Sequence, residues 1–456
     1  MMDTAMAAGA VGGSMIGACV PFVRVTTDTR ALAPGDLFVA LRGERFDGHD
    51  FVAQAFAEGA AAALVERSRA VSLPGNLIAV DDPLRSLGAL ARYWRARFDI
   101  PVAGVAGSNG KTTTKEMIAS IFRAAAGNDA VAATPGNFNN AIGLPLAVLA
   151  LRPVHRLGVF EVGMNHRGET RELADILQPT IAVVTNAQRE HQEFLRSVDE
   201  VAAEHADLVR ALPPGGVAAV NADDPRSSVW RDAARERGAR VIDFSLDGEA
   251  LVTARHVAHD DGGALELATP LGSAHVLLHV PGRHMARNAL AAVATAVGAK
   301  VALTAIVQGL EAFRPVRGRL ATSTTPAGVC VIDDTYNANP DSVRAAIDVL
   351  AARAAPRVLV LGDMGEVGGE GPAFHREIGR YARQAGIERL LAAGDQAKES
   401  VEAFGEGGEH FGDVAALAAR AVLAPANATV LVKGSRFMRM ERVVAALSGV
   451  NAGATH

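Results

Sequence analysis

At 456 residues the chain is longer than one ordinary hydrophobic core serves, and a prior of about three domains follows. Hydrophobic residues make up 49% and charged residues 21%, the balance of a globular enzyme and not of a disordered tail. The net charge of −5 argues against a nucleic-acid surface, and two distant cysteines, Cys19 and Cys330, argue against a disulfide framework or a zinc site. A reducing cytoplasm is the expected setting.

The opening stretch, "MMDTAMAAGAVGGSMIGACVPF" (1–22), is small and apolar like a signal peptide. It carries Asp3 and no Lys or Arg before Arg24, so the basic n-region is missing. Its glycines break the apolar run well short of a membrane span. It reads as the first small helix and strand of a domain covering 1–83, with strand-like runs "DLFVAL" (36–41), "AALVE" (62–66) and "LIAV" (77–80). A helical stretch from Arg85 to Phe98 reads as the connector to the next block.

A second domain, 84–315, alternates strands with helices. "PVAGVAG" (101–107) is a buried-strand run, and the following helix sets Met117, Ile118, Ile121, Phe122 and Ala125 on one face. "LGVFEVG" (157–163), "TIAVVTN" (180–186) and "GVAAVNA" (216–222) continue the rhythm of a parallel sheet with covering helices. Between about 250 and 282 the pattern turns to alternating strands with "DDGG" and "LGS" turns, an antiparallel appendage. A third domain, 316–456, repeats the α/β rhythm with "GVCVIDD", "RVLVLGD", "RLLAAGD" and "TVLVKGS", a Rossmann-like open sheet whose ligands belong at the strands' carboxyl ends. The fold class is α/β throughout.

Between the strand at 101–107 and its helix stand Gly107, Ser108, Asn109, Gly110, Lys111, Thr112 and Thr113, the strand–turn–helix context that gives a phosphate loop meaning. Glycines let backbone N–H groups converge on phosphate oxygens, and the helix N-terminus adds a favourable dipole. Lys111 is suited to the β- and γ-phosphates of ATP and Thr112 to Mg²⁺. The strict pattern would put its first glycine at 105, which is Val, so the loop is a shorter variant.

Further strings coincide in order with motifs of the Mur ligases. "TTDTRALAPGDLFVALRGERFDGHDF" (26–51) resembles that family's UDP-binding first domain, "GSNGKTTTKE" (107–116) its ATP loop, "GNFNNAIGLPL" (136–146) its substrate loop and "FEVGMNHRGE" (160–169) its Glu-bearing strand end. "PGRHMARNALAA" (281–292), "IDDTYNANPDS" (332–342), "LGDMGEVG" (361–368) and "LVKGSRFMRMERVV" (431–444) extend the resemblance over essentially the whole chain. It implies an ATP-dependent amide ligase that activates a peptide carboxylate as an acyl phosphate. The resembling branch takes UDP-N-acetylmuramoyl-tripeptide and D-alanyl-D-alanine. A monomer and a cytoplasmic location are expected.

By the same resemblance, Glu161 holds Mg²⁺ with Thr112, and His191 belongs to a second metal. Asn137 and Asn140 lie near substrate, Asn288 contacts adenine, and Arg319 reaches the phosphates on domain closure. Asp334 contacts ribose, beside Tyr336 and Asn339. Asp28, Thr29, Arg30, Asp47 and His49 are expected at the UDP-sugar, and Lys433, Ser435 and Arg436 at the peptide or the incoming amine.

One departure stands out. The family's carbamylated lysine would fall at 205, which is His, and no lysine occurs between Lys115 and Lys300. Either His205 ligates metal directly or Glu204 supplies the missing anion; adjacent helical positions point about 100° apart, so the two do not serve equally. Alternatives of function are a sister ligase adding the third amino acid, for which "DDPR" (223–226) is a weak signal, folate polyglutamate synthesis, and a nucleotide-binding regulator without turnover.

Overall fold

A computed structural model describes residues 1–449. Three main sheets succeed one another along the chain. The first has five strands: Arg24–Thr26, Asp36–Val39, Ala62–Glu66 and Leu77–Val80 run parallel, and Ser14–Ile16 closes the far edge antiparallel. The opening stretch forms the expected small helix, Thr4–Val11, capped by Asp3, whose side chain accepts a hydrogen bond from the Met6 N–H. The connector helix, Pro83–Arg95, starts on Asp82 with proline in its first turn, both ordinary start signals. It is tied to the middle domain by Trp94 Nε1, which donates to Leu151 O (3.0 Å), and by buried Arg95, which donates to Leu177 O and Gln178 O (both 3.1 Å).

The middle sheet has nine strands. Val102–Ala106 lies third from one edge, flanked by Leu157–Glu161 and Ile181–Val184, all parallel. Both faces of these strands are covered, which is why they read as unbroken apolar runs. Ala103, Val105, Val159, Ile181 and Val183 enter one apolar cluster, while Val102, Ala106, Phe160, Ala182 and Val184 enter the opposite one, the two-residue alternation of a strand. The expected antiparallel appendage is present as Val252–His259, Gly262–Thr269 and Gly272–Leu278. It continues the same sheet, because Phe244 and Ser245 pair in parallel with Val252 and Thr253.

On the helix Lys111–Ala126, Met117, Ile118, Ile121 and Phe122 are fully buried as expected. Ala125 is exposed, which corrects the reading of that face: the last turn before Gly127 emerges to solvent and Ala126 makes the final apolar contact.

The third sheet has six strands, five parallel, with Ala321–Thr324 antiparallel at one edge. Cys330–Asp334, Thr429–Lys433 and Arg357–Gly362 are neighbours at its heart. The register pairs Asp334 with Lys433, so two side chains 99 residues apart in sequence emerge side by side at the carboxyl ends. No helix among the described residues is long and apolar enough to cross a membrane.

Candidate active site

A cleft of about 1120 Å³ opens where the carboxyl ends of the second and third sheets face each other. That exceeds the usual span for one small ligand and leaves room for a nucleotide beside a second molecule. The loop 108–113 lines one side. Gly107 and Gly110 take φ of 134° and 84°, a region side chains rarely adopt. A Cβ on Gly107 would stand 2.0 Å from Thr185 Oγ1, and one on Gly110 2.3 Å from Asn288 Oδ1. The loop is braced from the neighbouring strand: the Asn109 N–H donates to Asn186 Oδ1 (2.9 Å), Thr185 Oγ1 donates to Asn109 O (2.7 Å), and the Gln188 N–H donates to Ser108 Oγ (2.9 Å). Thr113 is buried in the first helical turn.

Thr112 Oγ1 donates to Glu161 Oε2 at 2.7 Å, and Asn139 Nδ2 donates to Glu161 Oε1 at 2.8 Å. The sequence singled out Asn137 and Asn140. Both line the cleft, but Asn140 Oδ1 accepts from the N–H groups of Ile142 and Gly143 at the start of the helix Gly143–Leu149, and it is Asn139 that reaches the carboxylate. Lys111 Nζ folds over its own loop, donating to Gly107 O (2.5 Å) and lying 3.4 Å from Glu190 Oε2.

From the third domain, Asp334 pairs with Lys433 at 2.6 Å, and Arg319 stacks over the Tyr336 ring with its guanidinium 4.0 Å from the centroid. Burial pushes the Asp334 carboxyl above its usual range, against the pull of Lys433 and Arg319. Asn339 caps the helix Pro340–Ala351 and also reaches the phosphate loop, its Nδ2 donating to Asn109 Oδ1 at 2.9 Å. Asn288 packs against Gly110 from the buried helix Arg283–Gly298.

The expectations for the third domain's last loop change. Lys433 lines the cleft. Ser435 is buried and does not: its Oγ accepts from the Gly365 N–H (2.6 Å) and donates to Ala338 O (3.1 Å), bracing two loops. Arg436 is exposed and pairs with Glu441. In the first domain, Asp28, Thr29 and Arg30 form a short surface turn in which Asp28 and Arg30 pair at 2.7 Å. His49 is 2% exposed with both ring nitrogens engaged: Nδ1 lies 2.6 Å from Asp47 Oδ1, and Nε2 accepts from the Glu66 N–H at 2.9 Å. None of these five lines the main cleft.

The segment 189–193 carries His191, which the sequence reading named, and Arg189 and Glu190, which it passed over. His191 lines the cleft with φ 49°, its Nδ1 2.8 Å from Glu366 Oε2 of the third domain, though too poorly aligned for a hydrogen bond. Beside it, Glu190 is 6% exposed. Burial opposes its charge, yet Lys111, His205 and His191 outweigh that and hold the carboxyl far below its usual range. Position 205 meets Glu190: His205 is buried outside the cleft lining, with Nε2 3.1 Å from Glu190 Oε1. Glu204 points elsewhere, accepting from the N–H groups of Gly168 and Thr170 (2.9 Å) at the start of the helix Glu169–Leu177, so neither residue presents a free ligand atom to the cleft. Arg189 bridges the domains, bound to Asp341 at 2.6 Å and Glu377 at 2.7 Å. A carboxylate next to His191, in a stretch of sequence with no lysine between Lys115 and Lys300, was the available signal for Glu190.

Three family profiles match the chain in order: "Mur ligase family, catalytic domain" at 22–95, "Mur ligase middle domain" at 105–296 and "Mur ligase, glutamate ligase domain" at 318–436. The chain is 42% identical over 441 residues, 96% of each sequence, to UDP-N-acetylmuramoyl-tripeptide--D-alanyl-D-alanine ligase of Escherichia coli (strain K12). Its fold is similar to a crystal structure of MurF from Acinetobacter baumannii, with TM-score 0.90 and 34% identity over 98% of this chain and 99% of that one. A MurF ligase from Thermotoga maritima in complex with ADP matches with TM-score 0.81 and 25% identity over 93% and 97%. Likeness of this depth covers nearly the whole chain and all three profiles fall in order along it, so the chain belongs to the Mur ligase family.

Proposed function

We propose that this protein is the ATP-dependent ligase that joins D-alanyl-D-alanine to UDP-N-acetylmuramoyl-tripeptide, making the UDP-linked pentapeptide precursor of peptidoglycan. One observation carries the chemistry: a single cleft presents a phosphate loop with Lys111 and the Thr112–Glu161 pair on one wall and Asp334–Lys433 with Arg319 on the other. The substrates are those in the name of the 42%-identical relative, and ATP agrees with the ADP-bound neighbour. That name gives no support to addition of the third amino acid.

The chemistry balances in two displacements. An oxygen of the tripeptide's terminal carboxylate attacks the γ-phosphorus, the bond to the bridging oxygen breaks, and ADP leaves. The amine of D-alanyl-D-alanine then attacks the acyl carbon, orthophosphate departs with the former carboxylate oxygen, and the amine gives up a proton. Two anions must approach in line, so charge neutralisation dominates. In this reading Lys111 swings from its loop carbonyls onto the phosphates, and Arg319 adds a second cation from the facing domain. Asn288 and Asp334 hold adenine and ribose, while Asn137 and Asn139 flank the acceptor. Thr112 Oγ1 and Glu161 form a hard oxygen pair of the kind Mg²⁺ takes, and we assign them to hold it. The ion would supply electrostatic screening of the phosphate oxygens. Closing the second and third sheets over the cleft would keep water from the acyl phosphate. ATP and a UDP-linked sugar as substrates go with a cytoplasmic location.

Phosphate should be released from ATP only when both substrates are present, and oxygen-18 in the tripeptide's terminal carboxyl should appear in the orthophosphate. Product accumulating with the label wholly retained would refute the acyl-phosphate route. Free replacement of D-alanyl-D-alanine by diaminopimelate would refute the substrate assignment.

A further inference from the structure

A carboxylate 6% exposed beside a phosphate-binding loop is out of place unless a cation accompanies it. Glu190 has Lys111 Nζ at 3.4 Å, His205 Nε2 at 3.1 Å and His191 Nε2 at 3.8 Å. A lysine that reaches a triphosphate leaves such a partner behind. Glu190 would then face two incoming anions with its charge uncompensated.

We infer that Glu190 is the fixed anion that shares a second divalent cation with the phosphate oxygens, and that His205 is the positioning residue that holds it. The inference rests on the ligase reading above. It answers the question raised at position 205: with no lysine between 115 and 300 that position cannot carry a carbamate, and Glu204 is committed to the start of the helix Glu169–Leu177. Among the described residues no three His, Cys, Asp or Glu side chains converge closely enough to hold a metal ion unaided. Glu190 and His191 therefore need phosphate oxygens to complete a coordination sphere, and the second ion should bind only with the nucleotide. His205 presents Nε2 to the carboxylate, while its Nδ1 is buried without a partner, so it acts as a donor behind Glu190 and not as a ligand. The opposite side of the segment is pinned by the third domain, since the Arg189 N–H donates to Asp341 Oδ2 at 2.9 Å and the Arg189 side chain spans Asp341 and Glu377. Glu190 is thus fixed by a helix of its own domain and by the domain that closes over it.

The test is Mn²⁺ binding to the full-length protein, followed by electron paramagnetic resonance with and without a non-hydrolysable ATP analogue. Wild type should take up two Mn²⁺ per chain with the analogue and lose the second without it. Glu190→Gln should keep one, and His205→Gln should keep two with the second weakened about 10- to 100-fold. A second ion of undiminished affinity in Glu190→Gln, or a single ion in wild type, overturns the inference. If Glu190→Gln no longer binds the analogue, Glu190→Asp replaces it: a weakened second ion supports the role and an unchanged one overturns it. Phosphate release by wild type, dependent on both substrates, is measured in parallel. Its failure would sink the ligase reading alone, and the Mn²⁺ count would still decide the part played by Glu190.

Discussion

The phosphate loop, 107–113, and the segment 189–193 lie side by side in the cleft, yet they are encoded in different ways. The loop's shape comes from its own backbone, two glycines at positive φ and a helix start that are local in sequence, with braces from Thr185, Asn186 and Gln188 of the same domain. The segment works through partners far along the chain. Arg189 meets Asp341 and Glu377, His191 meets Glu366, and Glu190 meets Lys111 and His205. The loop therefore depends mainly on the fold of one domain, as does Glu190 with Lys111 and His205, whereas the Arg189 and His191 contacts exist only when the third domain is docked. Substitutions should therefore separate the two by how their effects divide between chemistry and closure.

The largest effect should come from the loop. Lys111→Met removes the only loop side chain that carries positive charge onto the phosphates, and kcat should fall by about a thousandfold while the fold persists. Steady-state kinetics with a urea melt checks both halves; a loss below tenfold would mean that the charge comes from elsewhere, with Arg319 the first suspect. Glu161→Gln should follow, at about a hundredfold in kcat, partly recoverable at high Mg²⁺ because Thr112 and Asn139 remain in place.

The segment should respond differently. Arg189→Met and Asp341→Asn each loosen the closure contact, so KM for the substrates should rise more than kcat falls. The pair is partly exposed, at 24% and 22%, so solvent limits its strength, and a double-mutant cycle should give a coupling of about 1–2 kcal/mol. Additive effects would show that the bridge forms without contributing to closure, and the contrast between loop and segment would then lose its basis.

The same contrast explains what was legible in the sequence. The parallel strands announced themselves because both faces are buried, Lys111 and Thr112 because strand, turn and helix follow in order, and Glu161 only through the resemblance of its strand end. The break to antiparallel strands after 250 was legible from alternation, but its continuity with the parallel sheet was not, since it depends on pairing between Phe244 and Val252. Asn139 and Asn140 could not be told apart by residue type; the turn decides which amide caps a helix and which reaches Glu161. Ser435 carries the same lesson, as a hydroxyl in a motif that turns out to tie two loops together. Glu190 was hidden because a glutamate in a charged stretch looks like solvated surface until the fold buries it.

The smallest expected effect tests the first domain, where position 49 was expected at the UDP-sugar and the structure gives it internal work. His49 Nε2 accepts from the Glu66 N–H, so Nδ1 carries the proton and donates to Asp47. Burial alone would raise the Asp47 carboxyl, but the backbone and ring donors of His49, with the nearby charge of Arg42, bring it down to about 2. A carboxyl depressed from 3.8 binds fewer protons folded than unfolded between pH 3.8 and 2, so its stabilisation is complete above 3.8 and is lost as the pH falls toward 2. His49→Gln should cost about 1–2 kcal/mol at neutral pH, and Asp47→Asn should flatten the acid limb of a melting-temperature profile over that window. Neither change should alter KM for the UDP-linked substrate more than about threefold at pH 7, a shift of less than 1 kcal/mol. A large KM change with an unmoved melting temperature would reverse the assignment and return both side chains to the sugar nucleotide, because only a group that touches substrate moves affinity while leaving the folded domain as stable as before.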